Sequence, residues 1–114
     1  MSKEKAIEIL KKNTKRFEEE DIKNAFKKWK DKTVQYTFTD IDETWCIHVK
    51  EGNAELVEGK VKEEPELEYT MTTETLEKMA SGEITGMKAF QMGLIQTKGA
   101  IRDMLKWKKI TTVN

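Results

Sequence analysis

The feature that most restricts the fold is a change of hydrophobic period just after residue 30. Before it, Ile22, Ala25, Phe26 and Trp29 stand at i, i+3, i+4 and i+7, the spacing that gathers side chains on one face of a helix. After it, Val34, Tyr36 and Phe38 alternate with Thr33, Gln35, Thr37 and Thr39, the spacing of a strand with one buried face. A chain that changes period in this way is neither all-helical nor all-β.

The remaining pattern extends both halves. Ala6, Ile7, Leu10 and Thr14 share one face of a first helix that Ser2 can cap. A second helix is expected over residues 19–30, with Phe17 packing inward between the two. Trp45, Ile47 and Val49 alternate in a second strand, Glu51-Gly52-Asn53 is a hairpin signal, and a short third strand passes through Leu56 and Val57. Residues 58–66 read as a solvated connection, and Leu67, Tyr69 and Met71 form a fourth strand. Thr72 or Thr73 caps a short helix that Gly82 ends, and a second short helix over residues 86–92 ends at Gly93. A fifth strand over residues 94–98 leads to a last helix over residues 100–109, with Ala100, Ile101, Met104, Leu105 and Trp107 on its apolar face. The expected architecture is α+β: about five mainly antiparallel strands covered on one face by helices, in one domain over residues 1–114.

Composition excludes several classes of function. Lys and Arg together number 21 and Asp and Glu number 21, so the chain lacks the basic excess of a dedicated nucleic-acid binder. Its apolar runs are too short for a membrane span or a secretory leader, which makes the cytoplasm the expected location. Cys46 and His48 are the only cysteine and histidine, so a cysteine zinc cluster and an intrachain disulfide are ruled out. Lys and Glu dominate the charged residues, a bias seen in thermophiles. Charge is segregated along the chain: residues 51–83 carry net −7 and residues 84–114 net +5.

Three local features bear on chemistry. Cys46 and His48 share a strand face and could form a thiolate–imidazole pair, but nothing supplies an orienting group or an oxyanion hole, so no catalytic residue is assigned. Asp40, Asp42 and Glu43 cluster in a turn without the spacing of a calcium loop, and no metal or cofactor is expected. Met71, Met79, Met87, Met92 and Met104 concentrate in the second half, where flexible thioethers suit either core filling or a ligand of variable shape.

Three stretches, taken in order, resemble the sterol carrier protein type 2 family. Residues 42–52 look like its strand pair around an aromatic and a hairpin glycine; residues 72–82 look like its short helix closed by glycine. Residues 87–99 look like the Ala-Phe…Gly segment that leads into its terminal helix. The chain departs from the family at Leu94, Thr97 and Ala100, and Thr112-Val113-Asn114 carries no peroxisomal signal. The resemblance is to a small single-domain prokaryotic or archaeal member.

The resemblance implies a non-enzymatic carrier with a lipid in an apolar tunnel: a fatty acyl chain, acyl-CoA, isoprenoid or sterol-like molecule. The expected lining is Leu76, Met79, Met87, Phe90, Met92, Ile95, Met104, Leu105 and Trp107, with Ile47 and Met71 from the sheet. The terminal helix is the expected lid, and Lys106, Lys108 and Lys109 are the expected contacts with an anionic membrane. The alternative is an interaction or homodimerisation module that uses the same apolar groove.

Overall fold

A computed structural model of the chain describes residues 2–111; the Ser2 side chain, with its expected cap, and residues 112–114 lie outside what is described. Helix α1 (Ser2–Lys15) runs through a single 3₁₀ turn (Arg16–Glu18) into α2 (Glu20–Ala25). Strands β1 (Lys32–Phe38), β2 (Glu43–Lys50) and β3 (Asn53–Glu58) follow as a meander. Then come β4 (Leu67–Met71), α3 (Thr73–Ala80), α4 (Gly86–Gln91), β5 (Gln96–Gly99) and α5 (Ile101–Thr111). The strands form one sheet in the order β3-β2-β1-β4-β5. Only β1 and β4 pair in parallel; the other neighbours are antiparallel.

The alternation read from the sequence sets the two faces. Val34, Tyr36 and Phe38 lie beside Ile47 and Trp45 on one flank and Leu67, Tyr69 and Met71 on the other. This face meets Ala6, Leu10, Phe17, Ile22, Phe26, Leu76, Ala89 and Trp107 from the helices in a single core. Two departures have local causes. The helix expected over residues 19–30 stops at Ala25, because the chain must bring Trp29 to the β2–β3 turn, where the Glu51 N–H donates to the Trp29 carbonyl at 2.7 Å. Trp29 is buried all the same.

The second departure is the connection from β3 to β4, which crosses the other face of the sheet. Thr33 N–H donates to the Glu66 carboxylate at 2.8 Å, and Lys62 pairs with both Asp31 and Glu66. Beneath this strap Thr33, Gln35 and Cys46 are buried, so β1 is covered on both sides.

The helix ends follow the expected chemistry. The Thr72 hydroxyl accepts from the Thr75 N–H, and the Thr85 hydroxyl accepts from the Lys88 N–H. Gly82 and Gly93 close α3 and α4 with positive φ. Gly99 is the tightest glycine: φ is +139°, and a Cβ there would stand 2.3 Å from the Glu66 carbonyl oxygen. That backbone cannot yield without breaking the β4–β5 pairing at Leu67. Gly99→Ala is therefore expected to cost on the order of 3 kcal/mol in chemical denaturation; a cost under about 0.5 kcal/mol, the usual surface range, would contradict the assigned backbone.

Candidate functional site

Among the partly buried apolar side chains that pack on the core, three come from the second half of the chain and from three different elements: Tyr69 of β4, Met79 of α3 and Met104 of α5. Tyr69 stacks on Tyr36 with ring centroids 5.4 Å apart, and Thr97, its partner on β5, is also half-buried. Burial pushes the Tyr69 hydroxyl up to about 12, so it remains a hydrogen-bond donor at neutral pH. The core against which they pack is aliphatic and aromatic, and the buried Asp103 stands next to Met104 on α5. Such an arrangement can bind an apolar molecule.

The residues expected to line a tunnel fall into three groups. Ile47, Met71, Leu76, Ile95 and Trp107 are core residues in close contact with their neighbours. Met79 and Met104 sit at its margin. Met87, Phe90, Met92 and Leu105 point to solvent, so these four do not join the rest around one enclosed space. On α4 the short helix turns only Ala89 into the core, which leaves Met87 and Phe90 outside.

On α5 the expected inward face is rotated. Asp103, Trp107 and Ile110 face the core, and Ile101 and Leu105 face out. The cause is a pair of polar ties that sequence periodicity does not display. Lys32 Nζ donates to both carboxylate oxygens of Asp103 at 2.9 Å, and the Trp107 indole N–H donates to the Tyr36 hydroxyl at 2.8 Å. Arg16 adds a third, donating to the carbonyls of Lys109 and Ile110. The terminal helix is thus pinned at both ends rather than poised as a lid. Lys106, an expected membrane contact, is half-buried with its ammonium 5.4 Å from the centre of the Phe26 ring. Burial, then the neighbouring cations Lys109, Lys28 and Lys32, lowers its pKa. Lys108 and Lys109 are exposed.

The other candidates have structural partners. Cys46 is buried, and burial raises its thiol pKa. His48 Nε2 lies 2.6 Å from Asp31, on the sheet surface, and engages that carboxylate instead of the thiol. Asp40 accepts from the Thr73 N–H and hydroxyl at the start of α3, while Glu43 pairs with Lys3 and accepts from the Trp45 indole. Among the described residues, no three His, Cys, Asp or Glu side chains are grouped to hold a metal. Nor, among the described residues, is any helix long and apolar enough to cross a membrane. A groove of about 370 Å³ that the sequence reading missed lies between α1, the 3₁₀ turn and β3, lined among others by Lys11, Phe17, Lys23 and Leu56. No residue of the expected lining reaches it.

Comparison with known proteins fits this geometry. A sequence model described as the SCP-2 sterol transfer family matches residues 10–112. No curated protein matches the chain. The sterol carrier protein domain 2 of Helicoverpa armigera superposes with a TM-score of 0.69 at 18% identity, over 90% of this chain and 81% of that one. Palmitated SCP2L2 from Aedes aegypti gives 0.65 at 19% identity, covering 93% of each chain. A sec-alkylsulfatase from Pseudomonas sp. gives 0.66 at 14% identity; the match covers 81% of this chain but 15% of the sulfatase. These likenesses establish a shared fold.

The pinning of α5 can be tested directly. Lys32→Met keeps an aliphatic contact with Trp29 but leaves the Asp103 carboxylate buried and unpaired. A cost of about 2–3 kcal/mol is expected, below that of a fully buried pair because Lys32 is partly solvated. The double variant Lys32→Met/Asp103→Leu should recover most of it. An unchanged midpoint in the single variant would show that the pair does not hold the helix.

Proposed function

The chain belongs to the SCP-2 sterol transfer family, and from that premise we propose that it carries a single lipid without altering it. The observation that carries this reading is the family match over residues 10–112, which spans the whole sheet and all the helices except the first part of α1. The margin at Tyr69, Met79 and Met104 supports it, since an apolar chain laid there would extend an existing core. Each methylene removed from water contributes about 0.8 kcal/mol before association costs, so ten offer about 8 kcal/mol gross. Two of the three side chains are methionines, which adapt to chains of different shape and favour broad selectivity. The Tyr69 hydroxyl provides one donor for a polar headgroup at the end of the chain.

The cargo we favour is an acyl or isoprenoid chain, because flexible molecules can follow a margin that must open around them. Access runs past α4 rather than under α5. Helix α4 has six residues, buries only Ala89 and lies between Gly86 and Gly93, whereas α5 is tied by Lys32, Tyr36 and Arg16. An element with few buried contacts opens at low cost.

Titration of delipidated protein with a fluorescent long-chain acyl probe tests the reading. One saturable site at micromolar affinity is expected, displaced by unlabelled fatty acid. Met104→Trp should abolish it by filling the margin. Tyr69→Phe should weaken a carboxylate-headed probe about two- to tenfold, the worth of one hydrogen bond. Replacing Cys46 and His48 by alanine together should leave binding unchanged. No saturable binding by a protein shown to be folded would overturn carriage, and normal binding by Met104→Trp would overturn the assigned site.

A further inference from the structure

The two edge strands of the sheet differ. β5 has four residues, whereas β3 has six, about 20 Å of strand, paired residue for residue with β2 and free of bulge and proline. β3 stands at the end of the strand order, so among the described residues its outer edge has no strand beside it. Nor, among them, does a backbone group of a turn or loop bond to residues 53–58. A regular edge with N–H and carbonyl groups turned outward is a template for another extended chain.

The groove of about 370 Å³ lies at this margin, between β3 and the helices that cover it. Phe17, Ala54 and Leu56 give it an apolar floor. Lys11, Lys15 and Lys23 also line it, against a single carboxylate, Glu18. No carboxylate forms an ion pair with any of these three lysines among the described residues. Lys23 Nζ donates instead to the Asn53 side-chain oxygen at 3.0 Å. At the adjoining turn a Cβ on Gly52 would stand 2.8 Å from the Lys23 carbonyl oxygen. Helix α2 therefore meets β3 at the turn end of the groove and fixes its width there. An apolar floor, unpaired cations and a strand edge occur together, and each asks something different of an occupant.

We propose that β3 and the groove beside it bind an extended acidic peptide of a partner protein, which joins the sheet as a sixth strand. Its backbone pairs with the β3 edge, and every second side chain faces the groove. One of these is apolar and lies on Phe17 and Leu56. Carboxylates two residues to either side, about 7 Å away, lie among Lys11, Lys15 and Lys23. The intervening side chains are uncharged, because β3 presents Glu55 on its other face. A small anion would use the lysines and leave the strand edge unused, and an apolar chain would match neither. A second copy of β3 is disfavoured, because two-fold pairing sets one lysine-lined groove beside another. This assignment does not rest on lipid carriage, since Tyr69, Met79 and Met104 do not line the groove.

Backbone amide NMR of the intact chain, titrated with the blocked peptide Thr-Glu-Thr-Leu-Thr-Glu-Thr, tests it. Saturable shifts are expected at residues 53–58 and on α1, with a Kd below about 1 mM. The analogue with lysine for both glutamates should bind about tenfold more weakly, and the difference should shrink as salt is raised. In a strand, successive N–H groups point to opposite edges. N-methylation of the threonines, or of the leucine and glutamates, should therefore abolish binding in one form and spare it in the other. Lys11→Glu with Lys15→Glu should weaken binding about tenfold. Circular dichroism and acyl-probe titration should be unchanged in that double variant, because both side chains are exposed. No saturable shift, shifts elsewhere, equal binding of the lysine analogue, equal effects of the two N-methylations, or normal binding by the double variant would each overturn the proposal. So would laurate that displaces the peptide and moves the same resonances, which would make the groove a lipid site. A dimer in sedimentation velocity that the peptide dissociates would also overturn it, since β3 would then pair with itself. Peptide and acyl-probe binding are read separately, so loss of one leaves the other standing.

Discussion

The indole of Trp107 is the contact on which the rest of the structure depends. It lies 6.1 Å from the ring centres of Phe17, Phe26 and Trp29, stacked nearly parallel on the last, and its N–H reaches the hydroxyl of Tyr36. One side chain near the end of the chain therefore joins the first helices to the central strand. Aromatic rings bring large buried areas with fixed preferred geometries, so this contact determines how α5 lies as well as where. The hydrogen bond matters because burial of an unpartnered hydroxyl is costly, and Tyr36 is wholly inside. Burial also raises the Tyr36 pKa, which keeps its proton in place at all ordinary pH.

Once Trp107 and Asp103 face inward, helical geometry leaves no freedom for Ile101 and Leu105. They must face out, together with Arg102 and Lys109. The surface of α5 is thus a consequence of its anchoring, and the same Lys32–Asp103 pair that fixes the helix removes the only carboxylate of residues 84–114 from the surface. Anchoring and surface charge are one event, which explains how a chain with no net charge presents a basic, apolar face.

The sheet was legible in the sequence, because a period of two is preserved wherever one face is buried. The hairpin at Glu51-Gly52 and the caps at Thr72, Gly82 and Gly93 were legible for the same local reason: each rests on the chemistry of one or two residues. What escaped was non-local. Helix α2 ends early to satisfy a backbone hydrogen bond across more than twenty residues, from Glu51 to Trp29. The strap over residues 59–66 is polar and reads as solvated, yet its Glu66 and Lys62 seal the second face of β1. The facing of α5 was misjudged because a buried aspartate looks like a surface residue until its lysine is known. Met87, Phe90, Met92 and Leu105 were read as lining because they are apolar, and apolarity alone does not assign a side chain to the interior.

The anchoring of α5 also limits how a carrier of this kind can open. A helix held by a buried ion pair, an indole–phenol hydrogen bond and the Arg16 guanidinium cannot swing away without exposing all three. Helix α4 carries no such ties through its side chains; its hold on the core is one alanine methyl. Of the two helices, α5 is therefore the more firmly anchored and α4 the less.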